Sequence, residues 1–318
     1  MASRHLVDEE LVPLLDIFPP LDFTIETLPQ FRETQNQMIA AMQGEPDASV
    51  VREDLIVPGT KGADARVLVY RPNGAQGVLP AIIYIHGGGF VIGSAVMMDP
   101  YARLLAQQLN CVVVSVDYRL APETPFPGAI EDCYAALKWT HDNATTLSVD
   151  PARIAVVGES AGGGLAASLT LLARDRGEVK LAMQILDMPM LDDRTGIQGE
   201  PHPFTGEFIW TANHNRLGWR AMIGAEPGGP DVSPYCAPAR AKDLSNLPPA
   251  FITIGSLDLF LEETLEYARR LIRAGVPVEL HVYPGVFHGF QAAAHSRVVQ
   301  AHVANVLGVL ERGLRPKT

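Results

Sequence analysis

The amino-acid sequence predicts an α/β fold: a mostly parallel β-sheet with helices on both faces and a helical cap. From residue 81 onward, short apolar runs alternate with helical stretches, a pattern typical of a parallel sheet wound with helices. Glycine-rich and polar loops follow several of these runs, at the end of the sheet where such folds bind ligands. With 318 residues, 47% of them hydrophobic, the chain can bury one large core.

The elements are predicted in chain order from periodicity and turn signals. Residues 1–45 have a helical pattern without strand alternation, and this segment carries Pro13, Pro19, Pro20 and Pro29. Two paired strands follow, and strands then alternate with helices. The strands are predicted at 50–57 and 66–70 around a turn at 59–62, then at 81–85, 111–117, 153–158, 181–187, 250–255 and 278–283. The helices are predicted at about 98–110 and 128–142, then from residue 161, from residue 262 and after the last strand.

The most informative segment is Gly158–Gly162, a Gly-x-Ser-x-Gly motif between strand 153–158 and the helix that follows. A serine at the apex of such a strand–turn–helix unit is typical of the nucleophile elbow of α/β-hydrolases. Glycines flank it because the serine backbone is strained and a neighbouring Cβ would clash. The helix directs its positive dipole end at the serine oxygen, and we therefore predict that Ser160 is a nucleophile. For this motif alone, an ordinary glycine-rich turn is the alternative.

A second loop is expected to bind the substrate carbonyl oxygen. The buried strand 81–85 leads into His86–Phe90, which contains three consecutive glycines. Such a loop can direct its backbone N–H groups toward a bound carbonyl without interference from side chains. The residue after the nucleophile, here Ala161, supplies a further donor in this fold. A merely flexible loop is the alternative, and it fits poorly because the run lies directly at a strand end.

An acid and a base are predicted on two later loops. Asp258 follows strand 250–255, and His288 follows strand 278–283. The order Ser, Asp, His along the chain is the order that this fold uses. His288 would accept the proton of Ser160, and Asp258 would hold the imidazole tautomer and stabilise its cation. Singly, each could be a helix cap or a solvated side chain, but four such features in this order favour catalysis.

The composition argues against several other classes of protein. The chain has 25 basic and 36 acidic residues, a net charge of −11, so we expect no nucleic-acid partner. Cys111, Cys133 and Cys236 lie far apart, without metal or redox spacing, which is typical of a reducing cytoplasm, and the patterns around Cys111 and Cys133 predict core residues. The first residues do not have the form of a signal peptide, and the uncharged helix at 161–173 is too short to span a membrane, so we expect no membrane partner.

One connection is much longer than the others. About sixty residues separate strand 181–187 from strand 250–255, and this segment has a helix-like pattern rich in aromatics such as Phe208, Trp210 and Trp219. Active-site lids are a common reason for such insertions, although a peripheral structural insertion is the alternative. The predicted domains are N-terminal cap helices at 1–45, a core formed by 46–187 and 246–318, and a cap insertion at 188–245.

Four motifs together resemble the hormone-sensitive-lipase family of bacterial carboxylesterases. They are His86–Phe90, Asp117–Glu123, Gly158–Gly163 and Phe287–Phe290, and the resemblance extends from the N-terminal arm to the last helix. It implies an α/β-hydrolase core, a two-part helical cap, and no metal or organic cofactor. The implied function is that of a serine carboxylesterase, which hydrolyses short-chain acyl esters through an acyl-enzyme on Ser160.

The resemblance also implies roles for single residues. Glu159 departs from the Asp or Thr that the family usually places before the nucleophile, so the surroundings of the elbow stay open. Three other acids, Asp187, Asp192 and Asp193, follow a different strand where the family's cap begins, and we therefore prefer Asp258. The implied roles are a triad of Ser160, Asp258 and His288, oxyanion-hole N–H groups of Gly88, Gly89 and Ala161, and support of the glycine loop by His86 and Gly87.

Two other functions stay open. An amidase or peptidase would use the same residues and differ only in its contacts with the leaving group. A ligand receptor on the same scaffold would bind without turnover, but some plant hormone receptors of this family have lost the catalytic His, whereas His288 is present. The physiological ester, the alcohol specificity and the oligomeric state are likewise open, since strand 278–283 could pair with a second copy in a homodimer or simply be covered.

Overall fold

The protein forms one eight-stranded β-sheet flanked by eight α-helices among the residues that the structure describes. Pro19, Pro20, part of the predicted turn at 59–62 and the end of the predicted N-terminal segment, 43–45, lie outside the described residues. The computed structural model describes residues 2–17, 23–42, 47–59 and 62–316.

The sheet is mixed at one side and parallel over the rest of its width. Its strands are β1 (Val50–Val57), β2 (Ala65–Pro72), β3 (Leu79–Ile85), β4 (Val112–Asp117), β5 (Val149–Glu159), β6 (Met183–Asp187), β7 (Ala250–Gly255) and β8 (Val278–Tyr283). They are arranged in the order β1-β2-β4-β3-β5-β6-β7-β8. β2 is antiparallel to β1 and β4, and all other neighbours are parallel. The loops after β3, β5, β7 and β8 therefore lie at the same end of the sheet, where the carboxyl ends of these parallel strands meet.

Helices cover both faces of the sheet, as predicted. α3 and α8 share one hydrophobic cluster with Ile82 and Tyr84, whereas α4, α5 and α7 share the other with Ile83. Because successive side chains of β3 point to opposite faces, all of its residues are buried. The helices are α1 (Val12–Ile17), α2 (Leu28–Met42), α3 (Asp99–Leu109), α4 (Gly128–Asp142), α5 (Ala161–Arg176), α6 (Ala212–Ile223), α7 (Leu261–Arg273) and α8 (Arg297–Gly313).

The predicted fold class is confirmed, and the element bounds differ at a few places. β7 and β8 have the predicted bounds. β5 begins at Val149 rather than at residue 153, because Val149 pairs with Leu79 ahead of a register shift that an apolar-run criterion does not detect. In the insertion at 188–245, regular α-helix is confined to α6, and the stretch from Pro201 to Thr211 is irregular.

Cys111, Cys133 and Cys236 are free thiols, and all three are buried. None of the described helices combines the length and the apolar character that a membrane crossing requires.

Candidate active site

Ser160 lies at a sharp turn between β5 and α5, with φ of 53° and ψ of −121°. This left-handed conformation is strained for a residue with a side chain. A Cβ added to Gly158 would overlap the carbonyl oxygen of Gly162, and one added to Gly162 would overlap the carbonyl oxygens of Ile85 and His86. The motif therefore requires glycine on both sides of Ser160, because the turn is packed against its own helix and against the end of β3.

Ser160, His288 and Asp258 form a continuous hydrogen-bonded chain. Ser160 Oγ lies 2.8 Å from His288 Nε2, and His288 Nδ1 lies 2.7 Å from Asp258 Oδ2. A carboxylate only accepts hydrogen bonds, so Nδ1 carries the proton and Nε2 accepts from the serine hydroxyl. Asp258 is itself held by the backbone N–H of Phe260, which donates to Oδ1 over 2.9 Å. Three separate loops thus supply an oriented nucleophile and base.

The surroundings of His288 adjust its basicity. Burial lowers the pKa of His288, but the Asp258 carboxylate outweighs it by charge and by hydrogen bond, with smaller help from Glu159 and Asp187, and the net pKa is raised. The ring of Phe260 meets the imidazole edge-on at 5.2 Å, and that of Trp210 lies 6.4 Å away. The imidazole is therefore fixed in orientation and poised to accept a proton.

The three alternative acids have other partners. Asp187 Oδ2 lies 3.1 Å from His302 Nε2. Asp192 forms a 2.6 Å ion pair with Arg194, and Asp193 forms a 2.5 Å ion pair with Arg240. Of the acids considered from the sequence, Asp258 is the one that the structure places on the imidazole.

The glycine loop is bent back toward the elbow. Gly88 and Gly89 have φ of 120° and 57°, in the region that favours glycine, and Val91 N–H and Ile92 N–H both donate to Gly88 O. No acceptor for the N–H groups of Gly88, Gly89 or Ala161 occurs within the described part of the chain. These three donors are therefore available to a bound oxyanion.

His86 and Gly87 are the first two residues of that loop. The His86 ring stacks on Tyr118 with centroids 4.2 Å apart, and its Nδ1–H donates to Gly87 O over 2.7 Å. Burial lowers the pKa of His86, which favours this neutral, donating form. A Cβ on Gly87 would lie 3.2 Å from Ser160 Cβ, so the loop backbone touches the nucleophile residue.

A tryptophan of the insertion covers the site: the sequence places Trp210 in an expected lid, but its contacts with Gly89 and His288 have no signal in the sequence. The edge of the Trp210 ring occupies the space that a Cβ on Gly89 would need, and the ring lies near both His288 and His214. The backbone N–H of Trp210 donates to the backbone carbonyl oxygen of Phe208 over 2.7 Å, closing a γ-turn around Ile209, whose φ is 58°. A β-branched residue such as Ile209 is strained at this positive φ. The turn therefore depends on the surrounding packing, which also holds Trp210 in place.

Arg32 of α2 connects the N-terminal arm to the end of the glycine loop. This residue is not predicted from the sequence. Its Nε donates to Val91 O over 2.6 Å, and its Nη2 donates to Ala121 O over 2.6 Å. Nη1 lies 2.8 Å from the carboxylate of Glu123. A single arginine in a polar helix has no motif, and its partners are distant in sequence, so nothing in the sequence singles it out.

Glu159, the residue before the nucleophile, borders a small void together with Tyr84, Tyr101 and Asp187. Burial and the nearby Asp187 carboxylate raise the pKa of Glu159 to about 7. One of two neighbouring acids thus tends to keep its proton.

Comparison with known proteins agrees with this geometry. A family model described as alpha/beta hydrolase fold matches residues 82–292. The chain belongs to the α/β-hydrolase family. It is 36% identical over 295 residues to carboxylesterase NlhH of Mycobacterium tuberculosis, covering 91% of this chain and 90% of the relative. It is 34% identical over 264 residues to ethyl acetate hydrolase of Pseudomonas putida, covering 82% and 81%.

The solved structure of bacterial heroin esterase is also similar to this α/β-hydrolase. The two share 42% identity with a TM-score of 0.93 over 99% of this chain and 100% of the other. The resemblance to the hormone-sensitive-lipase family of carboxylesterases is thereby confirmed. The protein is a carboxylic ester hydrolase.

Proposed function

We propose that Ser160, His288 and Asp258 carry out ester hydrolysis through an acyl-enzyme. The observation that supports this most directly is the unbroken hydrogen-bonded chain from Ser160 Oγ to Asp258 Oδ2. Ser160 Oγ attacks the ester carbonyl while His288 Nε2 accepts its proton. The tetrahedral intermediate expels the alcohol, which leaves with that proton. Water then attacks the acyl-serine by the same route, releasing the carboxylic acid and restoring Ser160.

The oxyanion would be bound by the backbone N–H groups of Gly88, Gly89 and Ala161. Each is free of a partner in the described structure, and α5 presents its N-terminal end at the same point. Loss of one such donor in other enzymes costs about 3 kcal/mol of transition-state stabilisation. The conformation of the glycine loop, held by His86 and Gly87, is thus as important to the rate as the side chains of the triad.

We infer that the arm at 1–45 and the insertion at 188–245 act as a cap that selects short acyl chains. Arg32 joins the arm to the glycine loop, and Trp210 lies over both Gly89 and His288. Ser160 is only 8% exposed, so an ester must fit into an enclosed space beside these groups. A similar protein is named ethyl acetate hydrolase, which agrees with a small acyl group.

We further propose a cytoplasmic location and pairing of two copies along β8. Three buried free thiols suit a reducing compartment. β8 has one neighbour, β7, in the described sheet, so its other edge is available for another strand. Light scattering at several protein concentrations tests the pairing: a mass near 34.4 kDa throughout would reject it.

A labelling experiment tests the proposed nucleophile. An organophosphate should modify one serine of the wild-type protein, identified by peptide mass spectrometry as Ser160, and none in Ser160→Ala. The variant should keep the wild-type circular dichroism spectrum and lose ester turnover. Labelling of a different serine would reject the assignment. Matched ester and amide substrates separate an esterase from an amidase, since an amidase would cleave both.

A further inference from the structure

A buried carboxylate outside the triad joins the two loops that must meet for catalysis. The side chain of Asp187, at the end of β6, accepts from Gln291 Nε2 over 3.1 Å, and Gln291 lies three residues beyond His288. The main-chain oxygen of the same residue accepts from Ser160 N–H over 2.8 Å. Asp187 therefore forms hydrogen bonds both to the nucleophile elbow and to the segment that follows the catalytic base.

Further contacts fix this carboxylate from two more elements. Thr253 of β7 donates its hydroxyl to Asp187 Oδ1. His302 of α8 lies 3.1 Å from Oδ2 and is only 2% exposed. Burial raises the pKa of Asp187 and lowers that of His302, but their mutual attraction outweighs both effects, so that the pKa of Asp187 is lowered and that of His302 is raised. The pair is thus a buried ion pair, which requires good geometry to be tolerated.

We propose that Asp187 is a positioning residue that ties the Ser160 elbow to the His288 loop, with His302 as its counter-charge. The proposal rests on the proposed function of Ser160 and His288. A displacement of about 1 Å between a nucleophile and its base can lower the rate about 100-fold. A group that bonds to both loops can therefore have a large effect on kcat. A buried charge carries a desolvation cost, which favours a role for Asp187 beyond packing.

The charge of Asp187 also affects the pKa of the proposed base, His288. It is one of the carboxylates that raise the pKa of His288. If Asp187 loses its charge, the pKa of His288 should fall. If His302 is removed instead, the negative charge of Asp187 is no longer compensated, and the pKa of His288 should rise. The titratable groups that face Asp187 from the elements packed around it are Tyr84 of β3, Tyr101 of α3, Glu159 of β5, Tyr283 of β8, His288 and His302 of α8.

Three single variants separate the contacts. Asp187→Asn removes the charge, His302→Gln removes the counter-charge, and Gln291→Ala removes the link to the base loop. Each should lower kcat by about 10- to 100-fold with little change in KM, because the substrate pocket is untouched. The acidic limb of kcat/KM should move to lower pH in Asp187→Asn, to higher pH in His302→Gln, and stay in place in Gln291→Ala.

Two controls decide between positioning and simple stabilisation. Asp99→Asn breaks ion pairs of Asp99 with Arg52 and Arg103, away from the elbow, and should leave kcat and the pH profile unchanged. Organophosphate titration should still find one reactive serine per chain in Asp187→Asn, reacting more slowly. Variants that unfold at lower temperature with wild-type kcat and pH profile would overturn the proposal, whereas labelling away from Ser160 in the wild type would instead reject the proposed function.

Discussion

The two sides of the active site are built differently. On the strand-end side, the functional groups lie on loops that directly follow β3, β5, β7 and β8, and the farthest, His288, is five residues beyond Tyr283. On the side of the proposed cap, called the cap side below, Trp210 reaches the same site from an irregular stretch and Arg32 reaches it from a separate helix. The first side depends on the local path of the chain, the second on packing between distant segments.

This difference predicts different consequences of substitution. Changes on the strand-end side alter the proton transfers and the oxyanion donors that every ester needs, so they should lower the rate for all substrates alike. Changes on the cap side alter the space that remains for the substrate, so their effect should depend on its size. Variants can test whether the two sides are independent in this sense.

The largest effect is expected for Asp258→Asn. The amide would hold His288 in the wrong tautomer, and kcat should fall by about 10⁴-fold for short and long acyl esters alike. Asp192→Asn, which only weakens the ion pair with Arg194, should stay close to wild type. Steady-state kinetics on a series of aryl esters measure both. Reversed effects would show that the acid has been misplaced.

A variant at the contact between the two sides should have the next largest effect. In Gly89→Ala the new Cβ would overlap Trp210, and φ of 57° is unfavourable for alanine. We expect kcat to fall by about 100- to 1,000-fold, as when an oxyanion donor is displaced. The double variant Gly89→Ala with Trp210→Ala should recover part of the loss. No recovery would mean that backbone strain alone is responsible.

Glu159 offers a smaller, pH-dependent test on the strand-end side. Its pKa is raised from 4.5 to about 7, so the folded protein keeps a proton that the unfolded chain releases. The contribution of Glu159 to the free energy of unfolding should therefore fall by about 3 kcal/mol as pH rises from about 4.5 to about 7. Glu159→Gln lacks this loss and should gain stability relative to wild type over the same range.

Urea unfolding at pH 4.5 and pH 8 measures that difference. Glu266→Gln, an exposed change on α7 where Glu266 pairs with Arg269, is the control and should follow the wild type closely. A Glu159→Gln variant whose stability relative to wild type is the same at both pH values would contradict the raised pKa.

Much of the strand-end side could be predicted from the sequence, since its determinants are local. Gly158 and Gly162 leave room for the sharp turn at Ser160, and the chain order of Ser160, Asp258 and His288 is the order that this fold uses. The predicted fold class and family are confirmed, and the structure brings those three side chains into contact. Their catalytic roles stay a prediction.

The remaining contacts had no local signal. Arg32 bonds to residues 59 and 89 positions away, and Gln291 bonds to Asp187 across 104 positions. Asp187 was considered from the sequence only as an alternative acid, because nothing near it shows that His302 would be its partner. Such pairs depend on how α2, α8 and the insertion pack, which periodicity does not specify.

The smallest expected effect concerns the substrate profile on the cap side. Wild-type activity on aryl esters should peak between acetyl and hexanoyl chains, since Trp210 limits the enclosed space next to Ser160. Trp210→Ala should move the peak to longer chains, with a gain of up to about fourfold for each added methylene that the new space can bury. Trp139→Ala, a change on α4 of a side chain that borders a separate groove beside β1 and β2, should leave the profile unchanged. Equal loss of activity on all chain lengths in Trp210→Ala would assign Trp210 to the support of His288 instead, and the two sides of the site would then not be independent.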